Sequence, residues 1–195
     1  MQIKRALFSV WNKDGIVELG QFLAAQNIEI LSTGGTKEVL EKAGLDITSI
    51  SFLTGSGAVM DGRVKTLHPK VFGGILADRE NPQHLHDLEY LHGLEIDIVV
   101  VNFYPFVQEA VEKKLKFKKA IEFIDIGGPS MIRAAAKNYH SVLPICNPGL
   151  YSEFMDTFTD TDGNIPLDFR EKLAAEVFSM TAVYETAIYN YFSRG

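Results

Sequence analysis

The run Ile96-Asp-Ile-Val-Val-Val101 limits the possible folds more than any other stretch of the chain. It is short, β-branched and apolar on both faces, the pattern of a central strand in a parallel sheet. Parallel strands need long crossovers, and the flanking sequence offers them as helices. Lys4 to Val10 reads as a buried strand. Asp14 is placed to cap a helix with the apolar stripe Ile16, Leu19, Leu23. Glu29 to Thr33 reads as a second strand ending in Gly34-Gly35. Thr36 is placed to cap the next helix, which carries Val39, Leu40 and Ala43 and stops at Gly44. Ile47 to Phe52 reads as a third strand. A helix from Pro129 to Asn138 precedes a strand over Ser141 to Cys146. Such alternation predicts an α/β fold, a doubly wound, mostly parallel central sheet with flanking helices.

Two segments stand outside the alternation. From Pro166 to Phe192 the apolar positions Phe169, Leu173, Val177, Met180, Tyr184, Ile188 and Tyr191 recur at helical steps. This predicts a long C-terminal helical segment, packed on the sheet or on a partner subunit. Ser51 to Leu76 is glycine-rich and fits no regular element; loops of that length in compact domains often carry function.

Composition removes several classes of function. With 46% hydrophobic and 23% charged residues, the 195-residue chain is not disordered, and one domain over residues 1–195 is expected. The net charge of −6 argues against a general nucleic-acid surface. The basic run Lys113-Lys114-Leu-Lys116-Phe-Lys118-Lys119 reads as a solvated helix face. No apolar run approaches the ~20 residues that span a bilayer. The start, Met-Gln-Ile-Lys-Arg, enters a strand directly and shows no secretion signal, so a cytoplasmic location is expected. Cys146, the lone cysteine, excludes an internal disulfide framework and a cysteine-based zinc site. His84, His86 and His92 match no strong metal-ligand spacing, and Asp87 and Glu89 among them suggest a polar surface helix. No metal is expected. An anion would have to be held by a few cations converging locally.

Four segments have the residue types for that. Ser32-Thr33-Gly34-Gly35-Thr36 joins strand to helix, where free amides and small residues suit a phosphate or simply make a turn. Its spacing is neither that of a Walker loop nor that of a dinucleotide fingerprint. In Asp61-Gly62-Arg63-Val64-Lys65-Thr66-Leu67-His68-Pro69, an extended chain would point Arg63 and Lys65 the same way. His68 is a general acid–base candidate, or a structural hydrogen-bonder. Asn102-Phe103-Tyr104-Pro105-Phe106 follows the carboxyl end of the most buried strand, where ligands of open α/β sheets bind. Asn102 and Tyr104 would face one side there; an aromatic core cluster is the plainer reading. Asp125-Ile126-Gly127-Gly128-Pro129 opens an alanine-rich helix whose first amides are unpaired. Lys137, near that helix's end, either reaches back into a cleft or complements the helix dipole.

Taken together and in this order, these runs, with Leu7-Phe8-Ser9-Val10, Lys13 and Arg133-Ala-Ala-Ala-Lys137-Asn138, resemble the IMP cyclohydrolase domain. That domain is the N-terminal half of the bifunctional AICAR formyltransferase/IMP cyclohydrolase family. The Ser-Thr-Gly-Gly-Thr turn is shared more widely, with methylglyoxal synthase and the allosteric domain of carbamoyl phosphate synthetase. The resemblance implies a methylglyoxal-synthase-like sandwich. It also implies a cyclic amidine hydrolase that closes the ring of FAICAR (5-formamidoimidazole-4-carboxamide ribotide) to IMP with loss of water, the last step of de novo IMP synthesis. No cofactor is implied. By motif position, Lys13, Ser32, Thr33, Gly34 and Gly35 would hold the ribose phosphate, with Ser9 a further substrate-binding residue. Arg63, Thr66, Asn102, Ile126, Gly127 and Gly128 would bind the rest of the substrate. Lys65, Tyr104, Asp125 and Lys137 would be catalytic. Trp11 stands where many members carry serine, which weakens one expected phosphate contact.

The resemblance also implies a homodimer, fused to or paired with a formyltransferase domain. At 195 residues the chain is expected to be one cyclohydrolase unit, alone or cut from a longer protein. A non-catalytic sensor of a phosphorylated metabolite would need the Ser-Thr-Gly-Gly-Thr cradle but not Arg63, Lys65, Asp125 and Lys137 together. Methylglyoxal synthase would need a carboxylate base, which the cationic loop fits poorly.

Overall fold

The computed structural model describes residues 2–103 and 106–193. Five parallel strands form one sheet: β1 (Arg5–Val10), β2 (Glu29–Ser32), β3 (Ile47–Ser49), β4 (Ile98–Asn102) and β5 (Leu143–Ile145), in the spatial order β3-β2-β1-β4-β5. The doubly wound reading therefore holds, and every strand pairing is parallel. Alternate residues of one strand serve different layers. Ala6, Phe8 and Val10 of β1 join Ile98 and Val100 of β4 in one core cluster, while Leu7, Val99 and Val101 belong to the other. Helices α1 (Ile16–Ala25) and α8 (Tyr151–Asp160) cover the first face. Helices α3 (Ile50–Thr54), α4 (Pro69–Leu76) and α7 (Gly127–Lys137) cover the second.

Between these lie α2 (Gly34–Lys42), α5 (Pro82–Tyr90), a π-helical turn over Val107–Glu112 and the short α6 (Phe117–Ala120). The long α9 (Leu167–Phe192) absorbs the C-terminal stripe within the chain. Phe169 and Leu173 enter the first core, Ala174 and Val177 the second, and Tyr184 a third cluster with Phe106 and Ala120. Among the described residues no helix is long and apolar enough to cross a membrane.

Several local expectations are corrected. The third strand stops at Ser49, because Ser49 Oγ accepts the Ser51 N–H and starts α3. That helix and α4 also take up much of the segment left unassigned over Ser51 to Leu76. Asp14 does not cap α1; Gly15 precedes the helix at φ +69°, a left-handed conformation that glycine adopts without strain. Thr36 lies inside α2, not at its cap. Its hydroxyl accepts from the Val10 N–H and donates to the Val10 carbonyl, tying α2 to the end of β1. His68 Nδ1 accepts from Lys70 N–H and so caps α4, with Pro69 in its first turn, which is the structural of its two readings. Gly44, at φ +84°, ends α2 as expected.

Candidate active site

The strand order reverses direction between β1 and β4, and ligands of open parallel sheets bind beyond the strand ends at such a point. Here the carboxyl ends of β1 and β4 are stitched together by Asn102. Its Oδ1 accepts the Trp11 and Asn12 N–H groups, each at 2.8 Å, and its Nδ2 donates to the Asn12 carbonyl at 3.1 Å. The clamp shapes the loop that presents Lys13. Lys13 Nζ donates to the carbonyls of Val10 and Trp11, and its stem lies beside Gly35.

The second motif arrives from above. A Cβ on Gly34 would stand 2.9 Å from Lys65 Nζ, so Lys65 ends directly over the Gly34-Gly35 turn. Gly34 also has φ +55°, and side chains larger than hydrogen are excluded twice over. The result is a turn at the N-terminus of α2 flanked by two lysines from distant parts of the chain. Exposed helix amides with two ammonium groups suit a dianionic phosphate. Burial lowers the pKa of both Lys13 and Lys65 below the ordinary lysine value. Taking each ammonium partly out of water makes it readier to give up a proton.

The opposite wall is the N-terminus of α7. Asp125 Oδ1 accepts the Gly128 N–H at 3.0 Å, so part of the amide cradle expected for a ligand holds this carboxylate instead. A Cβ on Gly128 would fall 2.7 Å from Asp125 Oδ2, and one on Gly127 would fall 2.9 Å from Thr66 Oγ1. Both glycines are needed for this close approach. Burial pushes the Asp125 carboxyl above the ordinary carboxylate value, while the bonds from Gly128 and Gly127 pull it down. The Asp125 N–H donates to Tyr184 Oη at 2.8 Å, and burial pushes that phenol up to about 12, so it stays neutral.

Between these walls opens a cleft of about 1160 Å³. It brings together Ser9, Thr33, Arg63, Lys65, Thr66, Asp125, Ile126, Gly127 and Gly128. Three expected site residues are placed elsewhere. Ser32 is fully buried and donates to the Phe8 carbonyl, so its hydroxyl faces the sheet. Asn102 is occupied by the clamp. Lys137 sits exposed in the last turn of α7, where a cation complements the helix dipole. At ~1.5 Å of rise per residue, its backbone is about 9 Å along the helix from Met131, the last residue of α7 to line the cleft. Tyr104 lies outside the described residues.

Residues the sequence reading missed are Glu122, Thr36 and Tyr184. Glu122 meets Arg63 across the cleft, with Nη2 at 2.6 and 2.7 Å from its two carboxylate oxygens. Tyr184 reads from the sequence only as one more member of the α9 stripe, and no local signal links it to Asp125. Among the described residues no cluster of three or more His, Cys, Asp or Glu could hold a metal ion. His84 Nδ1 instead accepts the Asp78 N–H.

Comparison with known proteins shows which family the chain matches. The MGS-like domain model matches residues 15–130, and the AICARFT/IMPCHase bienzyme model matches residues 135–195. The bifunctional purine biosynthesis protein PurH of Clostridium kluyveri is 47% identical over 97% of this chain and 38% of its own length. PurH of Staphylococcus aureus strain Newman is 49% identical over 97% of this chain and 38% of its own. The chain thus spans under two-fifths of the curated relatives it matches. Among solved structures, the crystal structure of ForH aligns over 97% of both chains with a TM-score of 0.85 and 31% identity.

Proposed function

Since the chain belongs to the MGS-like domain family, we propose that its cleft closes the ring of FAICAR to give IMP and water, the cyclohydrolase step of purine nucleotide synthesis. The observation that carries this reading is the convergence of Lys13 and Lys65 on the Gly34-Gly35 turn, opposite Asp125 on the α7 N-terminus. The Gly34-Gly35 turn with Lys13 suits a phosphate, and Lys65 and Asp125 line the cleft from opposite walls. A sensor would need only the first. The bienzyme match and the purine-biosynthesis names of the relatives support the same reaction.

The carboxamide nitrogen of the substrate is a poor nucleophile because its lone pair is delocalised. Holding it against the formyl carbon supplies several kcal/mol of the barrier. As the C–N bond forms, negative charge builds on the formyl oxygen. Lys65 is the donor that stabilises it, and an ammonium made more acidic by burial is suited to pass that oxygen its proton. Asp125 orients the carboxamide NH₂ and takes one of its protons; a carboxyl made more basic by burial is the better acceptor. The departing water carries the formyl oxygen, one carboxamide proton and the proton of the formamide N–H. Lys137, catalytic by the resemblance, is not among the residues that line the cleft of the single chain.

Assembly into a homodimer fits α9. From Phe178 to Phe192 the helix carries a single charge, Glu185, although Phe178, Val183, Tyr189 and Phe192 are exposed. Sedimentation should show a dimer at micromolar concentration that Val183→Glu weakens. A formyltransferase domain, fused or separate, would supply the substrate. The deciding experiment is a spectrophotometric assay of the purified chain with FAICAR. IMP should accumulate with turnover; binding without turnover would overturn the enzymatic reading.

A further inference from the structure

The cleft has a mouth as well as a floor, and the mouth is held by one ion pair. Residues 57–67 form a hairpin-like loop that closes on itself. Val59 and Val64 exchange backbone hydrogen bonds, Gly62 N–H donates to Val59 and Arg63 N–H donates to Met60. Met60, Asp61 and Gly62 all have positive φ, and Met60 is 71% exposed. From this loop Arg63 reaches Glu122, which lies 59 residues away on the facing wall. Both partners line the cleft. Their side chains are 69% and 51% exposed, so the pair is wet and weak.

The charges in the cleft are arranged unevenly. Among the described residues Lys13 and Lys65 have no carboxylate within ion-pair distance, while Arg63 is matched by Glu122 on both oxygens. The two lysines are left for an anion, and the arginine is already taken. A guanidinium presents a planar fork that fits a carboxylate or any ligand group offering two oxygens. Glu122 holds one nitrogen of that fork, Nη2, with both its oxygens and so occupies part of the place such a ligand group would take.

We infer that Glu122 is a built-in competitor: its carboxylate holds Arg63 across the mouth of the empty cleft and is exchanged for an oxygen of the incoming ligand. The pair is a latch between the 57–67 loop and the wall before α7. It is weak enough to open on binding and strong enough to keep the exposed loop from swinging free. The inference takes its ligand from the nucleotide reading above, but the latch itself rests on the ion pair.

The test combines two measurements on the whole chain. Calorimetric titration with IMP compares wild type, Glu122→Gln, Arg63→Gln and the double variant. Freeing Arg63 by Glu122→Gln should tighten IMP about two- to fivefold, the range of an exposed pair. The same change in the Arg63→Gln background should do nothing, and the gain should shrink in high salt. Hydrogen–deuterium exchange without ligand should be faster over residues 57–67 in both single variants. Equal or weaker IMP binding in Glu122→Gln, or equal tightening without Arg63, overturns the latch. Wild type that fails to bind IMP overturns the nucleotide reading instead. Exchange over 57–67 then still decides the latch, and unchanged exchange sinks it.

Discussion

The two ends of strand β4 carry the same device and serve opposite ends. At the amino end Asp97 Oδ2 accepts the Lys4 and Arg5 N–H groups at 2.8 and 2.9 Å. At the carboxyl end Asn102 Oδ1 accepts the Trp11 and Asn12 N–H groups. Each polar side chain fastens β4 to the matching end of β1. The surroundings then diverge. Asp97 is 2% exposed and sealed by Arg79, whose guanidinium also donates to the carbonyls of Gly74, Ala77 and Ile96. Asn102 is half-buried and holds the loop from which Lys13 Nζ reaches the Val10 and Trp11 carbonyls. One end is packed shut by hydrogen bonds, while the other leaves its cations without carboxylate partners. A sheet needs both clamps, but only the open end has polar groups to spare for chemistry.

Separating the two ends by mutation tests this division. The largest effect is expected at the closed end. Asp97→Ala strips two strand N–H groups and leaves a buried guanidinium less well matched, a loss of about 3 kcal/mol or more. The melting temperature should fall by roughly 6–12 °C, with kcat of the remaining folded enzyme near normal. A comparable fall in kcat would break the separation. At the open end, Lys65→Met should lower kcat at least ~100-fold with IMP binding still measurable and the melt almost unchanged. Near-normal turnover would remove Lys65 from the mechanism.

Asn102→Ala should do some of both. Its three hydrogen bonds lie where water can replace them, so about 1–2 kcal/mol of stability is at stake, or roughly 2–8 °C. Because the clamp shapes the Lys13 loop, IMP affinity should fall too; unaltered affinity would mean that the loop holds itself. The smallest effect is expected from Asp125→Asn on stability, and it has the opposite sign. Burial raises the folded pKa of Asp125 above its ordinary value of 3.8. Its contribution is therefore fully favourable only below that value and is lost as pH rises through the folded pKa. At neutral pH the variant should melt a little higher than wild type, with the gain vanishing toward pH 3, while activity collapses. A variant that melts lower at neutral pH would show that the bonds from Gly128 and Gly127 outweigh burial.

Much of this was legible in the residues, and where it was not the reasons are physical. The run Ile96 to Val101 predicts a strand buried on both faces, but nothing local says what Asp97 within it does. Its role depends on Lys4, Arg5 and Arg79, which no local pattern connects to it. The Gly34-Gly35 turn, Lys65 and Asp125 were each visible as motifs. That Lys65 ends over Gly34, about thirty residues away, follows from how the loop before α4 folds back over β2. Ser32 and Asn102 share an ambiguity that the sequence leaves open. A polar side chain at a strand end can turn outward to a ligand or inward to a backbone group, and only the packing decides. For Lys137, helix length converts sequence proximity to Gly127 into distance along α7, which the motif alone does not display.

By itself the sequence determined the layered α/β class and the motifs that meet at the cleft. Periodicity of apolar residues, glycine at a left-handed turn and the N-terminal position of Gly127-Gly128 are local constraints that any fold of this chain must satisfy. Tertiary structure decided the partnerships: Lys13 with Lys65 over one turn, Asp125 with Tyr184, and Arg63 with Glu122. Those pairings are long-range contacts between surfaces that become neighbours only after the sheet has assembled. Their energies depend on burial and distance, which residue order alone does not encode.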